Sequence, residues 1–139
     1  MREILFRGKR LDNGEWVEGY LYKRIVHLSG FHQNVVVDAI EVSDGENPLG
    51  ISYYTISPDT VGQYTGLCDK NDKKIFEGDI VERRAFCGGY VWKKCFLVEW
   101  NESFPGWWEY RCSQFYSMLD GNCEVIGNIH DNPELLKGE

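Results

Sequence analysis

Fifteen glycines and only four prolines divide the 139 residues into short runs rich in Val, Ile, Tyr, Trp and Phe. Glycine supplies the φ values that tight turns need, while β-branched and aromatic side chains fill a pleated, half-buried surface. Short runs of that kind between such turns specify strands. The first pair brackets Asp12-Asn13-Gly14, and Asn-Gly tolerates the positive φ of a hairpin turn, so residues 4–10 and 15–22 are expected to pair.

Continuing along the chain, residues 24–29 and 34–42 read as a second hairpin-like pair, and the loop at 43–50 as a mobile segment or a boundary. A short strand at 52–56 leads into a single helical turn or bend at 57–60. Strands follow at 61–67 and 74–82 around the polar turn 69–73. Residues 91–100 form the longest strand candidate, with Phe96, Val98 and Trp100 expected on the core side. A strand at 107–112, a short helix at 114–119 and a strand at 123–129 come next, and Asn132-Pro133 places an N-cap before a last helical turn. The fold class is therefore mainly β with minor short helices.

Bulk properties narrow the function classes. A net charge of −7 opposes loose attraction to phosphate backbones and anionic membranes, although it leaves room for a local basic patch. The opening MREILFRGKR has no apolar stretch of signal-peptide length, and no apolar run is long enough to span a bilayer, so a cytoplasmic protein without membrane partners is expected. Cys68, Cys87, Cys95, Cys112 and Cys123 include no C-x-x-C pair, which favours structural free thiols over zinc or disulfides. His27, His32 and His130 lie apart, and neither a P-loop nor a dinucleotide-binding glycine motif is present. No cofactor is implied.

The densest acid cluster is TGLCDKNDKKIFEGDIV, residues 65–81, with Asp69, Asp72, Glu77 and Asp79. As a calcium loop it fails, because Lys73 stands where a third oxygen ligand is required, Lys74 replaces the turn glycine and Ile80 replaces the bidentate glutamate. Glu77 and Asp79, two apart on a strand, could share a face as a catalytic pair. The stronger reading is a polar turn followed by a Gly78-Asp79 bend whose carboxylate bonds nearby amides.

Two surfaces remain as candidate sites. Arg83, Arg84, Lys93 and Lys94 flank Tyr90 and Trp92, the mixture of cations and stacking rings that single-stranded nucleic acid uses. Phe104, Trp107 and Trp108 crowd apolar rings beside a turn and mark a candidate protein interface, with core packing as the alternative for these rings.

Three groups of residues bear a family likeness. One is Pro58, Thr60-Val61-Gly62-Gln63-Tyr64-Thr65-Gly66-Leu67, Asp69-Lys70-Asn71 and Glu77-Gly78-Asp79-Ile80-Val81. The others are the opening Arg2 to Lys9 with Asn13-Gly14-Glu15-Trp16-Val17 and Gly19-Tyr20, and the closing Val125-Ile126-Gly127-Asn128-Ile129 with Asp131-Asn132-Pro133-Glu134-Leu135. Together they resemble the YopX family of phage and prophage proteins. The resemblance implies a mostly β fold with an SH3-like C-terminal part and no established activity, and it carries over no catalytic residues. Asp72 departs from the glycine usual at that turn, and residues 23–51 and 83–123 match nothing in the family pattern.

The resulting expectation is an N-terminal β-hairpin region, residues 1–56, packed on a small SH3-like β-barrel, residues 57–139, with a shared core. The expected role is that of a non-enzymatic accessory protein in the bacterial host cell. It would bind an unknown phage or host protein, with a homo-oligomer as a further option. A nucleic-acid-binding module is the alternative.

Overall fold

The computed structural model of the chain describes residues 4–28, 33–43, 50–103, 106–111 and 114–136. Its elements are eleven strands and two 3-10 turns in the described residues, so the chain is mainly β, as its glycine punctuation requires. The chain divides into two compact units, residues 1–63 and 64–139.

In the first unit β1 (Phe6–Lys9) pairs antiparallel with β2 (Trp16–Leu28), β2 with β3 (Gln33–Ser43), and β3 with β4 (Ile51–Thr55). The first residues of β5 (Gly62–Cys68) lie against the other edge of β1, with Arg7 opposite Gly62. The turn at Asn13-Gly14 forms as expected. Gly14 takes φ +73, its N–H reaches Arg10 O, and Asn13 Oδ1 accepts the Glu15 N–H. Residues 15–28, expected as parts of two hairpins, are one continuous strand from Trp16 that serves β1 with its first half and β3 with its second.

Ala39, Ile40 and Ile56 are the buried centre of this unit. Two glycines admit them: a Cβ on Gly8 would lie 2.7 Å from Ile56 Cδ1, and one on Gly19 would lie 2.0 Å from Glu41 O. No side chain fits at Gly19 without moving backbone. After β4 comes the 3-10 turn Pro58–Thr60, where Thr60 Oγ1 donates to Ser57 O and accepts the Lys9 N–H.

In the second unit the remainder of β5 pairs with β6 (Lys74–Phe76). A meander then runs through β7 (Asp79–Cys87), β8 (Tyr90–Asn101), β9 (Gly106–Arg111) and β10 (Gln114–Met118), while β11 (Glu124–Asn128) returns to the free edge of β7. The order is β10-β9-β8-β7-β11, and among the described residues no pairing closes it into a barrel. Ile75, Val81, Phe96, Val98, Trp107, Leu119 and Cys123 form its core, with Leu67 and Val125 packed against them. The chain finishes in the 3-10 turn Pro133–Leu136.

Two expectations are corrected. Residues 114–118 are a strand where a helix was expected. Gln114 and Met118 are good helix formers, but Phe115 and Tyr116 favour strands, and the segment pairs with β9, Phe115 opposite Tyr110 and Met118 opposite Trp108. Phe96 and Val98 are buried as expected, whereas Trp100, next to the last residue of the strand, is 42% exposed. The loop residues 44–49, together with His32, Phe104 and Cys112, lie outside the described residues.

Candidate functional site

The acid cluster at 65–81 is turn machinery. Asp69 Oδ1 accepts the N–H groups of Asn71 and Lys73 at 2.8 and 2.9 Å, and Oδ2 accepts that of Val125, 56 residues later, at 2.9 Å. Burial alone would push this carboxyl's pKa up, but the three amide donors outweigh it and the pKa falls. Lys70 N–H adds a bond to Cys123 O, so one carboxylate and one amide fasten the β5–β6 turn to β11 and the residue just before it. Asp79, fully buried, accepts the Phe76 N–H at 2.8 Å across the Gly78 bend. Among the described residues no group of three or more His, Cys, Asp or Glu has metal-holding geometry.

Asp72 is the only non-glycine among the described residues with positive φ, at +65, and Gly78 sits at +89. Asp72→Gly is therefore expected to be neutral or to stabilise by about 0.5–1 kcal/mol, and Gly78→Val to destabilise by about 2 kcal/mol, both read from urea unfolding. Harmless replacement of Gly78 by valine contradicts the bend.

Arg83 is committed inward. Its Nε lies 2.6 Å from both Glu109 carboxylate oxygens, Nη2 is 2.5 Å from Asp120 and Nη1 donates to Asn122 O. Glu109 is fully buried and Arg83 mostly so. The same packing buries Cys123, whose thiol pKa is pushed up to about 12 by desolvation and then by the Glu109 charge. That thiol is a packed apolar group with no nucleophilic character at neutral pH. Cys68 and Cys95 likewise form no disulfide.

The other candidate nucleic-acid residues occupy the β7–β8 hairpin. Its Gly88-Gly89 turn takes φ +57 and +87, and its register sets Arg83 opposite Lys94, Arg84 opposite Lys93, Ala85 opposite Trp92 and Cys87 opposite Tyr90. Arg84 and Lys93 are exposed, with Arg84 paired to Glu82 at 3.0 Å, and Lys94 is half-buried. Tyr90 stands 80% exposed at the tip beside the exposed Val91. Of the candidate interface rings, Trp107 is buried, 5.1 Å edge-on to Trp100, and Trp108 is half-buried opposite Glu99.

Sequence reasoning missed one pair. Glu99 on β8 and Glu77 in the β6–β7 bend are both half-buried. Burial raises both pKa values, and for Glu77 the Glu99 charge adds to the shift against a backbone donor from Trp100. The two stand far apart along the chain, beyond any local spacing rule. Raised carboxyl values mean that the stabilising contribution is present below the unfolded carboxylate range and lost as pH rises through the folded values. Glu99→Gln should thus raise the melting temperature at pH ~7–8 and leave it nearly unchanged at pH ~4, as scanning calorimetry would show.

The family model described as YopX protein matches residues 5–137. The chain belongs to the YopX family. The match runs through residues 23–51 and 83–123 as well, stretches with no family motif legible in the sequence, and the legible motifs include several of the turns described above. Asp69 and Gly78-Asp79 are among them, as is Gly127, where a Cβ would lie 2.5 Å from Asn132 Oδ1. Asn128 Oδ1 in turn accepts the N–H groups of His130 and Asp131. A similar solved structure is the crystal structure of protein EF1440 from Enterococcus faecalis. It is 23% identical, spans 99% of this chain and 100% of that one, and has a TM-score of 0.53, a likeness of fold. No curated protein matches the chain. Among the described residues no helix is long and apolar enough to cross a membrane.

Proposed function

We propose that the protein is a non-enzymatic accessory factor of a phage or prophage, acting in the bacterial cytoplasm by binding a phage or host protein. The observation that carries this reading is the division of labour within the chain. Asp69 and Gly78-Asp79 are spent on turns and strand fastening, while two long hairpins present exposed apolar side chains, Ile25 and Val36 on β2–β3 and Tyr90, Val91 and Trp100 on β7–β8. Such side chains are the usual material of protein recognition. In this reading residues 57–139 are an SH3-like module, a suggestion supported by its short antiparallel meander with shifted registers at β7–β11 and β9–β10. A pull-down from host lysate, with and without phage induction, should return one specific partner that no longer binds after Tyr90→Ala with Trp108→Ala. A blank across both proteomes refutes the reading.

A second reading is favoured by one register: Arg84 directly opposite Lys93, close to the exposed Tyr90, places cations and a stacking ring on one projecting ribbon. If that ribbon binds single-stranded nucleic acid, oligonucleotide affinity falls steeply with salt. Lys93→Ala with Lys94→Ala then lowers the log–log salt slope by about 0.7 for each phosphate no longer neutralised. No binding at low salt excludes it.

A further inference from the structure

We propose that the β2–β3 ribbon is a self-association surface on which a second copy of the chain seats face to face. β1 covers β2 only as far as Gly19 and β4 covers β3 only from Ala39 onward, so the rungs between Lys23–Asp38 and Leu28–Gln33 form a two-stranded ribbon. Such a ribbon is marginal in water by itself. On one of its faces Ile25 pairs with Val36, and these apolar side chains are 69% and 59% exposed. The rung beneath on the same face is Lys23 with Asp38, an ion pair at 3.2 Å.

Beside that face runs a groove of about 230 Å³, lined by Leu11, Val36, Asp38, Ile56 and Pro58, with Lys23 of β2 at its wall. The face therefore carries a knob, Ile25 on β2, and a hole on the β3 side. A two-fold axis along the ribbon lays β2 of one copy over β3 of the other at the same height. Ile25 then enters the partner's groove, Lys23 meets an aspartate at the matching height of the other copy, and the reciprocal contacts follow by symmetry, as an isologous interface demands. The charges on this rung cancel, so two chains that each carry −7 can approach here without local repulsion. Self-complementarity of both shape and charge selects a second copy as the occupant. This inference is independent of the accessory-factor reading, since a monomer could serve that role equally well.

Sedimentation equilibrium of the full chain is expected to show a reversible dimer at about micromolar concentration. Ile25→Glu should weaken it by at least about tenfold while leaving far-UV circular dichroism unchanged, because the side chain is exposed. Lys23→Asp and Asp38→Lys should each weaken the homodimer, through like charges across the interface. An equimolar mixture of these two variants should regain a heterodimer, because each then meets its opposite in the partner. That rescue depends on pairing between chains and separates the proposal from a purely internal role of the ion pair. A monomeric parent chain, a dimer unaffected by Ile25→Glu, or a mixture without rescue overturns the proposal, including the case of a monomer that uses this face for another protein.

Discussion

Asp69→Ala is expected to destabilise the protein by about 3–5 kcal/mol in urea unfolding at pH ~7, the largest effect of any single carboxylate in the β5–β6 turn. The substitution removes the acceptor of three backbone N–H bonds, two within the turn and one from Val125, and the residue is 6% exposed, so water cannot freely replace it. Asp69→Asn keeps one acceptor oxygen and should lose roughly half as much. A signature in pH accompanies this. The Asp69 pKa is lowered on folding, so its contribution is fully present above the unfolded carboxylate value and disappears as pH falls through the folded one. The gap between the parent protein and Asp69→Ala should accordingly narrow as pH falls below the ordinary carboxylate range. A gap that stays the same on acidification would mean that the carboxylate's charge is irrelevant.

Arg83→Met should cost about 3–5 kcal/mol, because it leaves the fully buried Glu109 without its counter-charge. Asp120 at the rim, 59% exposed, contributes less, since solvent screens it. The double substitution Arg83→Met with Glu109→Leu should recover most of the loss, as two apolar groups replace two desolvated charges. A double-mutant cycle by chemical denaturation measures the coupling directly. If both single substitutions cost under about 1 kcal/mol, the pair is solvated rather than buried. The outcome bears on function as well. An Arg83 held by Glu109 and Asp120 has few donors left for phosphate, which is why the nucleic-acid test rests on Lys93 and Lys94.

Several features were legible in the sequence because they are local. Asn13-Gly14, the 69–73 turn and Gly78-Asp79 carry their conformations in their own side chains and φ preferences, and each forms where expected. Lys73, Lys74 and Ile80 already ruled out a calcium loop before any tertiary neighbour was known. The β class followed from glycine spacing and aromatic runs, and family membership from motifs that prove to be turn chemistry.

Tertiary structure alone decided the rest, since a residue's remote partners leave no mark on local periodicity. Asp69 looked like a turn residue and is also a fastener to a strand 56 positions away. Arg83 looked like the start of a basic patch and turns inward to a carboxylate 26 residues on. Residues 114–118, with Phe115 and Tyr116 between Gln114 and Met118, had mixed local preference and became a strand by pairing with β9. Ile25 and Val36 read as ordinary strand residues, and only the places where β1 and β4 stop leave them facing water. Turn conformation is set within a few bonds, whereas burial and pairing depend on which strands arrive alongside.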